Sequence, residues 1–157
     1  MSHKIKIGVI ISDQNRVLLL YEKIEKNPVP LWNIVKGTYG DSGLETIFAA
    51  AVREAKEETG LEVELTDSLG CYVSQADDEA RVQFTFVAKI ISGNPVLAIK
   101  SEQIIRNENI IELKWFDKSE LEQMKASDFI SNRTYVMISD WLKEEKYPIS
   151  AVKQVKM

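Results

Sequence analysis

Residues 45–61, ETIFAAAVREAKEETGL, carry the pattern that decides the fold: an amphipathic helix that stops at a glycine. At about 100° per residue, the apolar side chains form one stripe that must face a core. That stripe comprises Leu44, Ile47, Phe48, Ala51, Val52 and Ala55. Ser42 and Glu45 have the spacing of a capping box, and Gly60 can adopt the left-handed conformation that ends helices. We therefore predict a helix from about Gly43 to Thr59.

Three glutamates, Glu54, Glu57 and Glu58, crowd the last turns of this helix. Their spacing makes the carboxylates repel one another by about 0.2–0.5 kcal/mol per pair, and the negative end of the helix dipole adds to this cost. Glu58 also falls on the edge of the apolar stripe. A divalent cation such as Mg²⁺ or Mn²⁺ would remove the conflict, because hard cations prefer carboxylate oxygens. Mg²⁺ usually takes further ligands from substrate phosphates, so the cluster suits phosphoryl chemistry with a glutamate as base.

An ordinary solvated helix face is the alternative explanation for this charge. Arg53 can pair with Glu57 at i,i+4, and Lys56 adds positive charge, as on many surface helices. The loop before the helix, KGTYGDSG (residues 36–43), favours a site instead. Its three glycines suit close backbone approach to a metal or a phosphate.

The remaining chain predicts a sheet with flanking helices. The β-rich runs KIKIGVII (4–11) and RVLLLYEK (16–23) are split by the turn-forming SDQN and predict a hairpin. Further strands are predicted at residues 62–65, 69–75, 80–91 and 110–116, with helices at 118–125 and 132–146. KSEQIIRNEN (100–109) is interpreted as a polar connection. On the last helix, Tyr135, Ile138 and Leu142 form the stripe expected to pack on the sheet.

Composition narrows the possible functions. The 157 residues suit one domain, and the net charge of −4 argues against non-specific nucleic-acid binding. No apolar run has the length of a signal-peptide core or a membrane span, so we expect a soluble cytoplasmic protein. The single cysteine, Cys71, and the single histidine, His3, leave no disulfide framework and argue against Cys-His or Ser-His catalysis.

Glu45, followed by seven residues and then REAKEETGL (53–61), resembles the second half of the Nudix box. That half reads E, seven residues, then R-E-U-x-E-E-x-G-U, where U is a bulky apolar residue. Ala55 is a small residue at the first U position, and Leu61 fits the second. The resemblance implies an α+β fold, a Nudix-type α/β/α sandwich with a central mixed β-sheet. Residues 1–157 would form a single MutT-like Nudix hydrolase domain.

The resemblance also implies roles for the site residues. In the family the helix glutamates bind Mg²⁺ or Mn²⁺ and activate water. Glu54, Glu57 and Glu58 would therefore be metal ligands, with Glu54 also a candidate base. Arg53 would orient the glutamates, and Glu45 is expected to be structural.

The first half of the motif departs from the family pattern. A glycine is expected six residues before Glu45, where this chain has Tyr39. The segment WNIVKG (32–37) resembles the family's W-x-x-P-K-G with valine at the proline position. Gly37 would then be the family glycine, would offer its backbone carbonyl to a metal, and would precede a loop two residues longer than usual.

Five further residues are candidates for contact with substrate. Lys36 resembles the lysine of members that cleave dinucleoside polyphosphates or diphosphoinositol phosphates, although an ordinary surface lysine is the alternative. Glu108 lies where many members place an extra acid, but the polarity of its segment favours a solvated glutamate. Trp32 and Tyr39 could stack on a base. Arg16 could offset phosphate charge.

These patterns predict a Mg²⁺-dependent Nudix pyrophosphohydrolase. Its substrate would be linked to a nucleoside diphosphate, as in a nucleotide, a dinucleoside polyphosphate or a nucleotide sugar. The alternatives are a Nudix-fold module that senses a nucleotide or ADP-ribose without turnover, and an interaction domain with a charged helix. We expect a monomer or homodimer that binds neither membranes nor specific nucleic acid.

Overall fold

The computed structural model describes residues 2–40 and 43–157, and these contain eight strands and four α-helices. The strands are β1 (Ser2–Asp13), β2 (Arg16–Glu22), β3 (Leu31–Asn33), β4 (Val35–Thr38), β5 (Glu62–Ala76), β6 (Glu79–Ser92), β7 (Ile110–Asp117) and β8 (Tyr147–Pro148). The helices are α1 (Ile47–Thr59), α2 (Lys100–Ile105), α3 (Lys118–Gln123) and α4 (Asn132–Leu142).

All eight strands belong to one mixed sheet. Strands β3, β2, β1, β6, β5 and β8 are consecutive neighbours, while β4 pairs with β1 and β7 pairs with β2. Strand β1 runs parallel to β6 and antiparallel to β4. The predicted α+β fold with a central mixed sheet is confirmed.

The predicted hairpin of β1 and β2 is paired only next to its turn. Ser12 pairs with Val17 and Asp13 with Arg16, after which the two strands diverge. Strand β3 then lies beside β2, whereas β4 lies beside β1. Residues 31–38 therefore cross from one diverging strand to the other, and this crossing brings β4 against α1.

Two apolar cores cover the two faces of the sheet. Alternation in β1 separates them, since Ile7 and Val9 face α1 while Ile10 faces the opposite side. The first core joins the sheet to α1, and the second joins it to α3 and α4. Within α4, Ile138 is buried as expected. The deepest neighbours are Met137 and Trp141 rather than the predicted Tyr135 and Leu142, which are only partly buried.

The structure corrects several sequence-based predictions. Helix α1 begins at Ile47 rather than near Gly43, because the Thr46 hydroxyl caps it by accepting a hydrogen bond from the Ala49 N–H at 3.0 Å. Leu44 precedes the helix and is fully exposed, so it is not part of the buried stripe. The capping box proposed at Ser42 lies outside the described residues. The polar connection at 100–109 contains a short helix, α2.

Candidate active site

The two most buried acidic side chains of α1 face the middle of β4. Glu54 and Glu58 are one helical turn apart and are only 7% and 4% exposed. The helix ends after them at Gly60, whose φ of 76° and N–H bond to the Lys56 carbonyl confirm the predicted stop. Both carboxylates are therefore held on one side of a capped helix.

Strand β4 meets these carboxylates with its backbone. The Lys36 N–H donates a hydrogen bond to Glu58 Oε1 at 3.3 Å. Gly37 lies directly against Glu54, and a Cβ added at this glycine would overlap the Glu54 carboxylate. With Glu54 in this conformation only a residue without a side chain fits there, which accounts for the glycine independently of any motif.

Arg53 connects three carboxylates. Its Nη2 is 2.7 Å from Glu45 Oε1, and its Nη1 is 2.9 Å from Glu54 Oε1 and 3.1 Å from Glu57 Oε2. These contacts raise the pKa of Arg53, chiefly through the Glu45 bond. The i,i+4 pair with Glu57 expected for a solvated face is present, but the same guanidinium also orients buried Glu54.

A third carboxylate, from outside α1, lies close to those of Glu54 and Glu58. One oxygen each from Glu54, Glu58 and Glu108 lies within 4.8 Å of the others. Glu108 lies between α2 and β7. Its two carboxylate oxygens accept hydrogen bonds from the Arg106 Nε at 3.2 and 3.3 Å. We call Glu54, Glu58 and Glu108 the carboxylate cluster.

The cluster concentrates more negative charge than its surroundings neutralise. Burial raises the pKa of Glu54 to about 7 although Arg53 opposes the shift. Burial and the charges of Glu108, Glu22 and Glu54 raise the pKa of Glu58 well above its ordinary value. The pKa of Glu108 is raised for the same main reason. Converging carboxylate oxygens that resist ionisation without added positive charge fit a hard divalent cation.

The carboxylate cluster lies in a cleft of about 570 Å³. Lys36, Gly37 and Glu57 line it together with the cluster, so the structure brings most of the predicted site together. Glu57 does not join the carboxylate cluster. Its Oε2 faces Arg53 at 3.1 Å and Arg106 at 3.9 Å.

Three candidate substrate residues lie elsewhere. Trp32 packs between Tyr21 and Phe116, with ring centroids 4.6 and 4.7 Å apart. The Tyr39 hydroxyl accepts a hydrogen bond from Gln154 at 2.9 Å, in a separate groove. Arg16 pairs with Asp13 and lies over the Trp115 ring. None of the three lines the acidic cleft, and their roles in substrate binding stay predictions.

Sequence reasoning gave no role to three residues that line the cleft, Lys6, Glu22 and Arg106. Strand pairing brings Lys6 and Glu22 to the cleft, and the sequence around each residue gives no indication of this position. Arg106 offered a local signal, since it lies two positions before Glu108 in RNEN. That spacing could have suggested an ion pair.

A wider groove of about 700 Å³ runs along the outer side of α1. Its lining is mainly apolar, with Phe48, Val52 and Leu65 among the residues, although Arg53 and Glu57 also line it. Converging ionisable groups are characteristic of reactive sites, so the acidic cleft is the better candidate active site.

Comparisons with known proteins give the relatives of this chain. The sequence matches the family model for the NUDIX domain over residues 2–136. It is 36% identical over 70 residues to Nudix hydrolase 8 of Arabidopsis thaliana, which is 42% of this chain but only 18% of that protein. No described helix is long and apolar enough to cross a membrane.

Solved structures share the whole architecture. A NUDIX hydrolase from Nitrosomonas europaea superposes with a TM-score of 0.77 at 20% identity, covering 98% of both chains. An ADP-ribose pyrophosphatase from Streptococcus suis gives a TM-score of 0.64 at 15% identity, covering 98% of this chain and 96% of that one. At these identities the likeness establishes the fold.

Proposed function

The chain belongs to the NUDIX domain family, whose members are hydrolases acting on pyrophosphate bonds, and from this premise we propose a Mg²⁺-dependent pyrophosphohydrolase. The proposed substrate is a nucleoside diphosphate linked to another group. The observation that carries the proposal is the carboxylate cluster, in which three acids from two parts of the chain converge in one cleft.

The donor set suits Mg²⁺ or Mn²⁺, with Glu54, Glu58 and Glu108 as the nearest oxygens and Glu57 and the Gly37 carbonyl as further proposed ligands. A bound cation would neutralise the carboxylates, engage phosphate oxygens and make a water more acidic.

Glu54 is the proposed general base. Burial raises the pKa of this carboxyl to about 7 in the metal-free protein, and a bound cation would favour its ionised form, which can accept a proton. The water oxygen would form a bond to phosphorus, its proton would pass to Glu54, and the bridging P–O bond would break with the electron pair leaving on oxygen. Arg53 fixes the orientation of Glu54 through its 2.9 Å contact.

Lys36 is proposed to meet the substrate phosphates. It lines the cleft beside Gly37, and its charge favours the ionised form of Glu22. An ammonium group can follow a phosphate as a point charge without fixed geometry. Substrate anions and Glu22 would therefore share this lysine.

We predict that Glu54→Gln and Glu57→Gln each lose most Mg²⁺-dependent hydrolysis while folding normally. The first removes the proposed base, and the second removes a proposed ligand held by Arg53. Chromatography of the nucleoside monophosphate product measures hydrolysis, and circular dichroism measures folding. Glu122→Gln, at an exposed site on α3, is the matched control and should keep full activity. Full activity in both active-site variants would refute the proposal.

Binding without turnover is the second candidate, and the longer loop after Gly37 is the feature that favours it. A panel of nucleotide sugars, dinucleoside polyphosphates and ADP-ribose, assayed with Mg²⁺ and with Mn²⁺, separates the two. Tight binding with no hydrolysis product, such as a nucleoside monophosphate, from any compound would support the sensor, and turnover of any one would support the hydrolase.

A further inference from the structure

Arg106 occupies the turn that delivers Glu108 to the carboxylate cluster. Arg106 is the C-cap residue of α2, and its backbone N–H donates hydrogen bonds to the carbonyls of Glu102 and Ile104. Asn107 follows with a φ of 56°, in the left-handed region, so the chain reverses at once. The Glu108 N–H then donates to the Gln103 carbonyl at 2.8 Å. This reversal places the side chains of Arg106 and Glu108 next to each other.

The backbone of this turn has hydrogen bonds that do not involve the Arg106 side chain. Gln103 is 7% exposed, and its side chain donates to the Ala98 carbonyl at 3.0 Å. Its Oε1 accepts the Ile110 N–H at 2.7 Å. These bonds close both ends of the segment around one buried amide. Loss of the Arg106 side chain should therefore leave the turn folded.

The Arg106 side chain makes its contacts across the cleft. Its Nε donates to both Glu108 oxygens, and its Nη2 donates to the Glu57 carbonyl on α1 at 3.1 Å. The guanidinium thus ties the Glu108 carboxylate to the end of the helix that carries Glu54 and Glu58. Glu108 is on a turn rather than a regular element, so without this tie its carboxylate could rotate away from the other acids.

We propose that Arg106 is a positioning residue that holds Glu108 in the carboxylate cluster and so tightens binding of a divalent cation. The proposal rests on the proposed function, because the cluster is its metal site. A simple charge effect makes the opposite prediction. A guanidinium so close to the cluster repels a cation, and its removal would then strengthen metal binding.

Arg106→Gln should weaken Mn²⁺ binding about tenfold or more, the usual cost of losing a residue that orients a ligand. Isothermal titration of the whole metal-free protein with Mn²⁺ measures this directly. Arg106→Lys should give an intermediate affinity, because it keeps the charge but loses the Nε that donates to both carboxylate oxygens of Glu108. Lys100→Gln removes an exposed positive charge from the same helix and should bind like wild type. Unchanged or tighter Mn²⁺ binding by Arg106→Gln would overturn the proposal.

A double-mutant cycle tests whether Arg106 acts through Glu108. In a Glu108→Gln background, Arg106→Gln should cause little further loss of Mn²⁺ affinity. A full additional loss would place the effect elsewhere and overturn the assignment. Failure of the wild-type protein to bind Mn²⁺ would instead refute the proposed metal site itself, so the two failures are distinguishable.

Discussion

Adjacent glutamates of α1 have different environments. Glu58 is buried, accepts a hydrogen bond from the Lys36 N–H and faces other carboxylates. Glu57, the next residue back, is more exposed and is held by Arg53. The motif presents both as ligands, but the structure makes Glu58 a member of the carboxylate cluster and Glu57 a side chain already balanced by positive charge. Their contributions to metal binding should therefore differ.

Gly37→Ala should disrupt the cluster without changing any charged residue. The added methyl group would occupy the space of the Glu54 carboxylate, so this side chain must rotate or β4 must shift. We expect Mn²⁺ affinity and hydrolysis to fall by about tenfold or more, as when a ligand is misoriented. Calorimetric titration with Mn²⁺ and chromatography of the nucleoside monophosphate product are the measurements. Gly40→Ala is the control for loop composition, since no atom lies within 4 Å of a Cβ there, although its φ of 97° adds strain. Wild-type Mn²⁺ affinity in Gly37→Ala would contradict this close approach.

Helix α1 is the element that carries the site, and it is fixed at both ends. Thr46 caps one end and Gly60 the other. The C-terminal segment adds a second restraint, because Gln154 accepts the Ile47 N–H at 2.6 Å and donates to the Tyr39 hydroxyl at 2.9 Å. One side chain thereby joins the start of α1 to the loop after β4.

Gln154→Ala should lower the stability of the protein modestly and should make the first turn of α1 less well held. A hydrogen bond contributes about 0.5–1.5 kcal/mol. One of these two is exposed and the other is only partly buried, so we expect a loss of about 0.5–1 kcal/mol and a fall in Tm of about 1–4 °C. Scanning calorimetry measures Tm, and hydrogen exchange of the Ile47 amide reports the local effect. Lys153→Ala changes an adjacent exposed side chain and should match wild type. Unaltered exchange at Ile47 would show that the contact does not persist in solution.

Element-level features were predictable where the cause is local. The period of α1, its stop at Gly60 and the order of the main strands follow from short-range patterns. The helix start was missed because both Ser42 and Thr46 are capable caps, and Thr46 makes the cap that the structure describes. Glu22 was missed because the pairing of β2 with β3 and β7 brings it to the cleft, which no segment encodes by itself.

At the scale of the whole molecule, the buried carboxyl groups of the cleft make the stability of the metal-free protein depend on pH. Raised carboxyl pKa values mean that the folded chain holds protons that the unfolded chain releases. Such a group contributes stability below its ordinary pKa and loses that contribution as the pH rises through the folded value. For Glu54 this interval runs from 4.5 to about 7. The metal-free protein should therefore become less stable between these limits.

Wild-type protein in EDTA should lose stability relative to Glu54→Gln as the pH rises from about 5 to 8. Each pH unit of the interval corresponds to about 1.4 kcal/mol, which limits the effect to about 3 kcal/mol, and solvent in the open cleft should reduce it. Mg²⁺ should reverse the loss, by about 2.7 kcal/mol at one hundred times its Kd. Denaturant unfolding at several pH values, with EDTA or with Mg²⁺, measures both effects. Parallel pH profiles for the two proteins, with no response to Mg²⁺, would favour a charged helix that serves only in interactions over a metal-dependent enzyme.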